Sequence, residues 1–209
     1  MTDQLDLFNL EDKPNSPLVL LQDGEIESYE TFFDRKESDR LLDLLKETID
    51  WKQESMQMYG KQVAFPRLTA WYGDNDKPYK FSGITLSPNN WTKELLEIKN
   101  KIEPIAGVTF NSVLLNRYRD GNDSISWHTD AEPELGTNPI IASVNFGAKR
   151  RFMLRHINNH GLKYEVDLKH GSFLLMKGSL QHFWQHQVPK TKENIGERIN
   201  LTFRVIKNK

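Results

Sequence analysis

The sequence predicts an α+β protein: a double-stranded β-helix (jelly-roll) core with N-terminal helices packed on one face. Three observations predict it. Two stretches in the first half of the chain repeat their apolar residues at helical spacing. From about Thr109 onward the texture changes to short runs that alternate apolar and polar residues with period two. These are bounded by Asp-Gly, Asn-His-Gly and His-Gly, the pattern of an antiparallel sheet. Strands of that kind arriving after two amphipathic helices are accommodated by a closed double sheet with the helices against one side.

In order along the chain, residues 1–15 are polar, lack a sustained period and run into "EDKPNSP". They are expected to form a flexible N-terminal tail, with residues 16–209 as a single domain. "LVLLQ", Leu18 to Gln22, reads as a short buried strand. "DRKESDRLLDLLKETIDW" has apolar residues at 41, 42, 44, 45 and 49 and predicts an amphipathic helix capped at Ser38 or Asp39. "NNWTKELLEIKNKI" starts a second helix, capped near Thr92, with Glu94 in its first turn. "TFNSVLLNRY", "IIASVNFGAKRRFMLRH", "KYEVDLKHGSFLLMK" and "ERINLTFRVI" supply strands, with "RDGND" and "NNHG" as turns. The chain holds no internal repeat and no low-complexity segment.

Composition narrows the functions open to it. At 209 residues the chain can bury a core without covalent staples. It has no cysteine, which excludes disulfides and thiolate-bound zinc or iron–sulfur sites and is compatible with a reducing compartment. No apolar run approaches the roughly 20 residues of a membrane span. "MTDQLDLFNLEDKPN" is acidic where a signal peptide would be basic and then apolar. A soluble, cytoplasmic monomer without membrane contact is expected. A net charge of -1 excludes a generally basic nucleic-acid coat but leaves room for a local basic face. "KRRFMLRH", Lys149 to His156, is either such a face or a solvated strand edge.

The stretch "SISWHTDAEPELG" sets His128 and Asp130 one residue apart. Six histidines, each followed two places on by Asp about one time in fifteen, give about 0.4 such pairs by composition alone, so the pair needs a third ligand and a reason for the metal. On a strand or extended turn the two side chains point to the same side. "HFWQHQVP" supplies His186 from elsewhere in the fold. Two histidines and one carboxylate leave positions open on an ion, as in non-haem Fe(II) oxygenases; zinc hydrolases use similar ligands. In "ERINLTFRVI" period two puts Arg198, Asn200, Thr202 and Arg204 on one face and Ile199, Leu201, Phe203 and Val205 on the other. Two positive charges inside a barrel are expensive unless an anion meets them, and guanidinium groups suit carboxylates. 2-Oxoglutarate, which chelates iron at its 2-oxo acid end and reaches an arginine with its far carboxylate, satisfies both observations. Arginines in surface ion pairs are the alternative.

Taken in order, "FPRLTAWYGD", "FSGITLSP", "NRYRDG", "WHTDAEPELG", "ASVNFGAKRRFMLRH", "HGSFLLM", "WQHQVP" and "RINLTFR" resemble the successive motifs of the AlkB family of Fe(II)/2-oxoglutarate-dependent nucleic-acid dealkylases. The likeness covers roughly Pro17 to Ile206 and is strongest to the branch of the animal nuclear DNA-repair homologues. The resemblance implies Fe(II), 2-oxoglutarate and O2 as cofactors, with His128, Asp130 and His186 as iron ligands. It implies Arg198, at the far carboxylate, and Arg204 as holders of 2-oxoglutarate, with Asn116, Tyr118 and Asn200 adding hydrogen bonds. Asn116 and Tyr118 share a strand face, in keeping with that role. The remaining histidines, His156, His160, His170 and His182, are expected in turns or at the surface.

The resemblance further implies alkylated DNA, with RNA as an alternative, as the partner. The reaction would be oxidative demethylation of bases such as 1-methyladenine and 3-methylcytosine with release of formaldehyde, the base being flipped out of a duplex. It places nucleotide recognition at about residues 50–90. Phe81 would stack on the flipped base, with Ser82 beside it, and Glu132 would read the polar edge. "QMYGKQVAFPR" resembles a hairpin that probes the duplex, with Tyr59 at Gly60 as a wedge and Lys61 and Arg67 as contacts around the lesion or backbone. Relatives often carry a second acid directly after the metal aspartate; here the residue is Ala131, which leaves strand preference and lesion range open. A demethylase or hydroxylase of RNA or protein and a non-catalytic nucleic-acid-binding module are the other readings. In the tail, "QLDLF" resembles the short peptide by which bacterial polymerases and repair proteins bind the DNA sliding clamp, through Gln4, Leu5, Leu7 and Phe8.

Overall fold

The computed structural model describes residues 18–58, 60–74, 79–81, 84–86 and 88–207. A seven-stranded sheet runs in the spatial order β1 (Leu18–Leu21), β2 (Gly24–Tyr29), β13 (Ser172–Lys177), β10 (Ile141–Gly147), β15 (Arg198–Arg204), β8 (Ser112–Tyr118) and β5 (Leu68–Gly73). A four-stranded sheet runs β12 (Lys163–Leu168), β11 (Arg150–His156), β14 (Trp184–Val188) and β9 (Ile125–His128). Every pairing in both is antiparallel. Two hairpins, β3 (Ser55–Met58) with β4 (Lys61–Ala64) and β6 (Tyr79–Phe81) with β7 (Ile84–Leu86), pair with neither sheet.

The large sheet is buried on both faces, and its alternation explains how. Ile199, Leu201 and Phe203 of β15 join Val113, Leu115, Val144 and Phe146 in a core closed by Leu41, Leu45, Leu95, Ile98 and Ile102 of the helices α1 (Arg35–Thr48) and α2 (Lys93–Ala106). The other face meets the small sheet through Ile141, Leu174, Met176, Phe152, Leu154, Trp184 and Val188. The helices thus cover one face, as period two and helical spacing predict. Truncating a fully buried leucine such as Leu201 in this packing costs about 2–5 kcal/mol.

Local chemistry sets the helix ends. Thr92 caps α2, its Oγ1 accepting from the Leu95 N–H at 3.3 Å, as the sequence predicts. For α1 the expectation of Ser38 or Asp39 is corrected. Asp34 is the cap, accepting from the Glu37 N–H at 2.8 Å, so the helix begins a turn earlier. Ser38 is buried inside the helix, donating to the Phe33 carbonyl, at a place where the backbone of Gly171 comes close. Gly171 has φ +77 and a Cβ there would fall 2.5 Å from the Phe33 oxygen, so that approach admits only glycine.

"LVLLQ" also departs from expectation. β1 is the edge strand, and its Leu18 and Leu20 are 40% and 72% exposed. The expected tail, residues 1–15, lies outside the described residues. None of the described helices is long and apolar enough to cross a membrane.

Candidate active site

The small sheet brings the three candidate ligands together. His128 ends β9 and pairs in register with His186 of β14, their ring centroids 4.2 Å apart; the register shifts between His186 and Val188. Asp130 follows in the loop, and the ligand atoms of all three residues lie within 4.8 Å of one another. His128 Nδ1 lies 2.8 Å from the Ser126 carbonyl. A carbonyl only accepts, so Nδ1 carries the proton and Nε2, 3.7 Å from Asp130 Oδ1, is left with its lone pair. Burial pushes the His186 imidazole down to about 3, so it is the neutral form a metal requires. Burial opposes the Asp130 carboxylate, but the Arg204 guanidinium beside it outweighs that and holds the group at about 2. The Asp130 N–H donates to Gln181 Oε1 at 2.9 Å, from the short helix α3 (Leu180–Phe183). Gln181 is buried and fixes the loop that carries the ligand.

Arg204 links the triad to the large sheet, its Nη2 lying 2.8 Å from Asp130 Oδ2. Behind it, one polar row crosses five strands in register: Thr69, Asn116, Asn200, Asn145 and Ser172. Within the row, Asn145 Nδ2 donates to Ser172 Oγ, and Asn145 Oδ1 accepts from Asn200 and from Arg198 Nη2 at 2.6 Å. Asn200 Oδ1 accepts from Thr202, and Asn116 Oδ1 accepts from Arg67 Nε at 2.7 Å. Among the described residues no acceptor meets Asn116 Nδ2.

Arg198 is 1% exposed, with its guanidinium carbon 4.9 Å from the centre of the Tyr118 ring. Burial pulls it down to about 10, against Tyr118, which favours the charged form. Its Nε and Nη1 are buried with no partner among protein groups. Unspent N–H groups on Arg198 and Asn116 are donors, and a carboxylate is the acceptor that suits them. Donors without acceptors beside a two-histidine, one-carboxylate cluster fit iron with an anionic chelator.

The comparisons agree. The model of the 2OG-Fe(II) oxygenase superfamily matches residues 25–204. "Alpha-ketoglutarate-dependent dioxygenase alkB homolog 3" from Homo sapiens is 44% identical over 187 residues, 85% of this chain and 65% of that protein. "DNA oxidative demethylase ALKBH2" from Homo sapiens is 39% identical over 189 residues, 86% of this chain and 72% of that protein. The chain belongs to the AlkB family of 2OG-Fe(II) oxygenases. Against the first of these relatives it spans about 65% of their length. The solved structure of OsALKBH1 superposes with a TM-score of 0.61 at 18% identity, over 90% of this chain and 100% of that one. A 2OG-Fe(II) oxygenase family oxidoreductase from Burkholderia pseudomallei gives 0.56 at 14%, over 86% and 84%. At those identities the likeness bears on the fold.

For this AlkB-family chain, Fe(II), 2-oxoglutarate and O2 are therefore the cofactors. The structure brings together His128, Asp130, His186, Asn116, Tyr118, Arg198, Asn200 and Arg204 on the surfaces that face one another between the sheets. Glu132 stands two residues beyond Asp130, and its Oε2 is buried with no hydrogen-bond partner. Lys61 is exposed on β4, beside Gly60 at φ 77. Arg67 instead turns inward to Asn116 and to the Ser124 carbonyl at 3.4 Å. Tyr59, Ser82 and the tail residues Gln4, Leu5, Leu7 and Phe8 lie outside the described residues, as does the side chain of Phe81, whose backbone ends β6.

"KRRFMLRH" is a strand whose outward charges are mostly spent. Lys149 and Arg151 pair with Asp167 and Glu165 at 3.0 and 3.8 Å, and Arg155 lies 4.2 Å over the Trp127 ring. Arg150 is buried and donates to the carbonyls of Asp120, Asp123 and Pro189, pinning the turns that lead into β9 and out of β14. His156 corrects the expectation of a surface residue. It is 4% exposed, between Phe183 and Trp184, with Nε2 3.3 Å from Asp23 Oδ2.

Sequence reasoning missed Gln181, Ser143, Asn145 and Ser172. For Ser143 and Asn145 a signal existed, since period two sets both opposite Ala142, Val144 and Phe146 in "IIASVNFG". Gln181 sits in a four-residue helix and left no periodic trace.

Proposed function

We propose that this protein is an oxidative demethylase of alkylated nucleic-acid bases, repairing lesions such as 1-methyladenine and 3-methylcytosine in DNA. The observation that carries the reading is the pairing of the triad with Arg198, whose two unspent buried donors call for the far carboxylate of 2-oxoglutarate. Iron, 2-oxoglutarate and O2 together supply hydroxylation of a C–H bond, with succinate and CO2 as products. On an N-methyl group the hydroxylated carbon leaves as formaldehyde and the base is restored.

The chain's own residues bind and position. Arg198, Asn116 and Tyr118 hold the co-substrate, Asn200 braces Asn145 beneath them, and Arg204 reaches Asp130 and keeps that ligand ionised. The Glu132 carboxylate, with one oxygen unsatisfied, accepts from an exocyclic amino group of the lesion. Phe81 and Ser82 are the candidate contacts to the base. The hairpin of β3 and β4 has exposed strand residues and joins neither sheet, in keeping with an element that enters a duplex through Tyr59, Gly60 and Lys61. The name of the human relative ALKBH2, a DNA oxidative demethylase, supports DNA as the substrate. We further propose that the protein acts as a monomer in the cytoplasm and reaches bacterial replication sites through Gln4, Leu5, Leu7 and Phe8 on the sliding clamp.

The test measures formaldehyde release with Fe(II) and 2-oxoglutarate on matched 3-methylcytosine oligonucleotides of DNA and RNA, single- and double-stranded. Release from methylated DNA is expected. Release from RNA alone would move the substrate to RNA, and none from any of the four would end the proposal.

A further inference from the structure

Arg67 is a half-buried guanidinium at the junction between the β3–β4 hairpin and β5. Among the described residues no carboxylate pairs with it. Its contacts are Asn116 Oδ1 at 2.7 Å, the Ser124 carbonyl at 3.4 Å and the Phe65 ring, 5.1 Å from the guanidinium carbon. The first of these has a chemical consequence. A guanidinium has only donors, so the Asn116 atom that meets it is the oxygen, and the amide nitrogen is turned the other way.

That orientation matters because of what surrounds it. Asn145 and Asn200, the other two amides of the row, spend their groups on Ser143, Val144, Ser172, Thr202 and one another. Asn116 alone among these three keeps an NH2 with no protein acceptor among the described residues. A free amide would be able to flip and present its oxygen to an anion; one held by Arg67 presents two N–H donors.

We infer that Arg67 is a positioning residue for 2-oxoglutarate, acting through Asn116, rather than a contact to nucleic acid. The inference rests on reading the pocket as the co-substrate site. It also ties the hairpin that would meet the substrate to the row that holds the co-substrate, through one residue between them.

Two titrations on the full chain test it: 2-oxoglutarate binding by calorimetry, anaerobically with Fe(II) present, and binding of a labelled single-stranded 3-methylcytosine oligonucleotide by anisotropy. Arg67→Met should raise the Kd for 2-oxoglutarate about tenfold, the loss of about one charge-assisted bond. The oligonucleotide Kd should stay within about twofold, and Arg67→Lys, which keeps a donor and the charge, should recover most of the affinity. Combined with Asn116→Ala, Arg67→Met should add nothing. Additive losses in the double variant, or lost oligonucleotide affinity with intact 2-oxoglutarate binding, would overturn the inference. Asn116→Asp gives a second route that does not remove Arg67. Its carboxylate pairs with Arg67 and turns an oxygen toward the anion, so the melting temperature should rise while 2-oxoglutarate affinity falls tenfold or more. Unchanged affinity in that variant would also overturn it. Arg198→Met separates the two readings. If that variant binds 2-oxoglutarate normally, the pocket assignment fails; if it does not while Arg67→Met does, only the role of Arg67 fails.

Discussion

Replacing Arg198 by methionine should separate co-substrate affinity from stability. In the fold, Nη2 donates to Asn145 while Nε and Nη1 are buried without a protein partner. Each hydrogen bond to a charged group contributes about 1.5–3 kcal/mol, so losing two such contacts to a carboxylate removes roughly 3–6 kcal/mol, and even the lower end, about 3–4 kcal/mol, raises Kd about 150- to 1,000-fold. Stability should move the other way or not at all. Methionine abolishes the cost of burying an unpaired cation, and Asn145 Oδ1 still accepts from Asn200. Differential scanning fluorimetry reads both. At a concentration 100 times the parent Kd, 2-oxoglutarate stabilises the parent by about 2.7 kcal/mol; with Kd raised about 300-fold the stabilisation falls to about 0.2. A ligand-free variant that melts well below the parent, yet retains the ligand-induced shift, would show that Arg198 is a structural residue and refute the reasoning.

Other perturbations probe the neighbouring parts. Alanine at His128, Asp130 or His186 should abolish turnover and weaken iron binding in a metal titration; near-normal formaldehyde release from any one variant would remove that ligand. Gln181→Ala frees the loop bearing Asp130 and should weaken iron affinity about 10- to 100-fold by calorimetry, with little change in oligonucleotide affinity. Tyr59→Ala should reduce repair of duplex DNA much more than of single strands, and equal losses would make the residue merely structural. Leu7→Ala with Phe8→Ala should abolish calorimetric binding to a bacterial sliding clamp while leaving repair of free oligonucleotides intact; no binding by the parent chain would end that idea.

The parts of the site that one strand specifies were legible in the sequence. Period two alone placed Arg198, Asn200, Thr202 and Arg204 opposite Ile199, Leu201 and Phe203, and the structure keeps that division. The triad was legible because His128 and Asp130 are close in sequence and His186 lies in a recognisable motif. What escaped depends on pairing between strands far apart in the chain. The row from Thr69 to Ser172 exists only because four registers coincide, which no single run of residues encodes. Gln181 and the buried His156 are held by tertiary contacts of one short helix, and the exposed edge of β1 follows from its place at the end of the sheet. Asp34 and Ser38 are both good caps, so local chemistry alone did not choose between them.

The most direct measurement of the central claim follows a single-stranded DNA oligonucleotide containing one 3-methylcytosine by intact mass, with succinate and formaldehyde quantified in the same reaction. The account predicts loss of one CH2 unit from the oligonucleotide, with succinate and formaldehyde formed in equal amounts. All three should vanish in Asp130→Ala and when iron is chelated. An oligonucleotide that keeps its methyl group while the parent chain, iron and 2-oxoglutarate are all shown to be bound would contradict it.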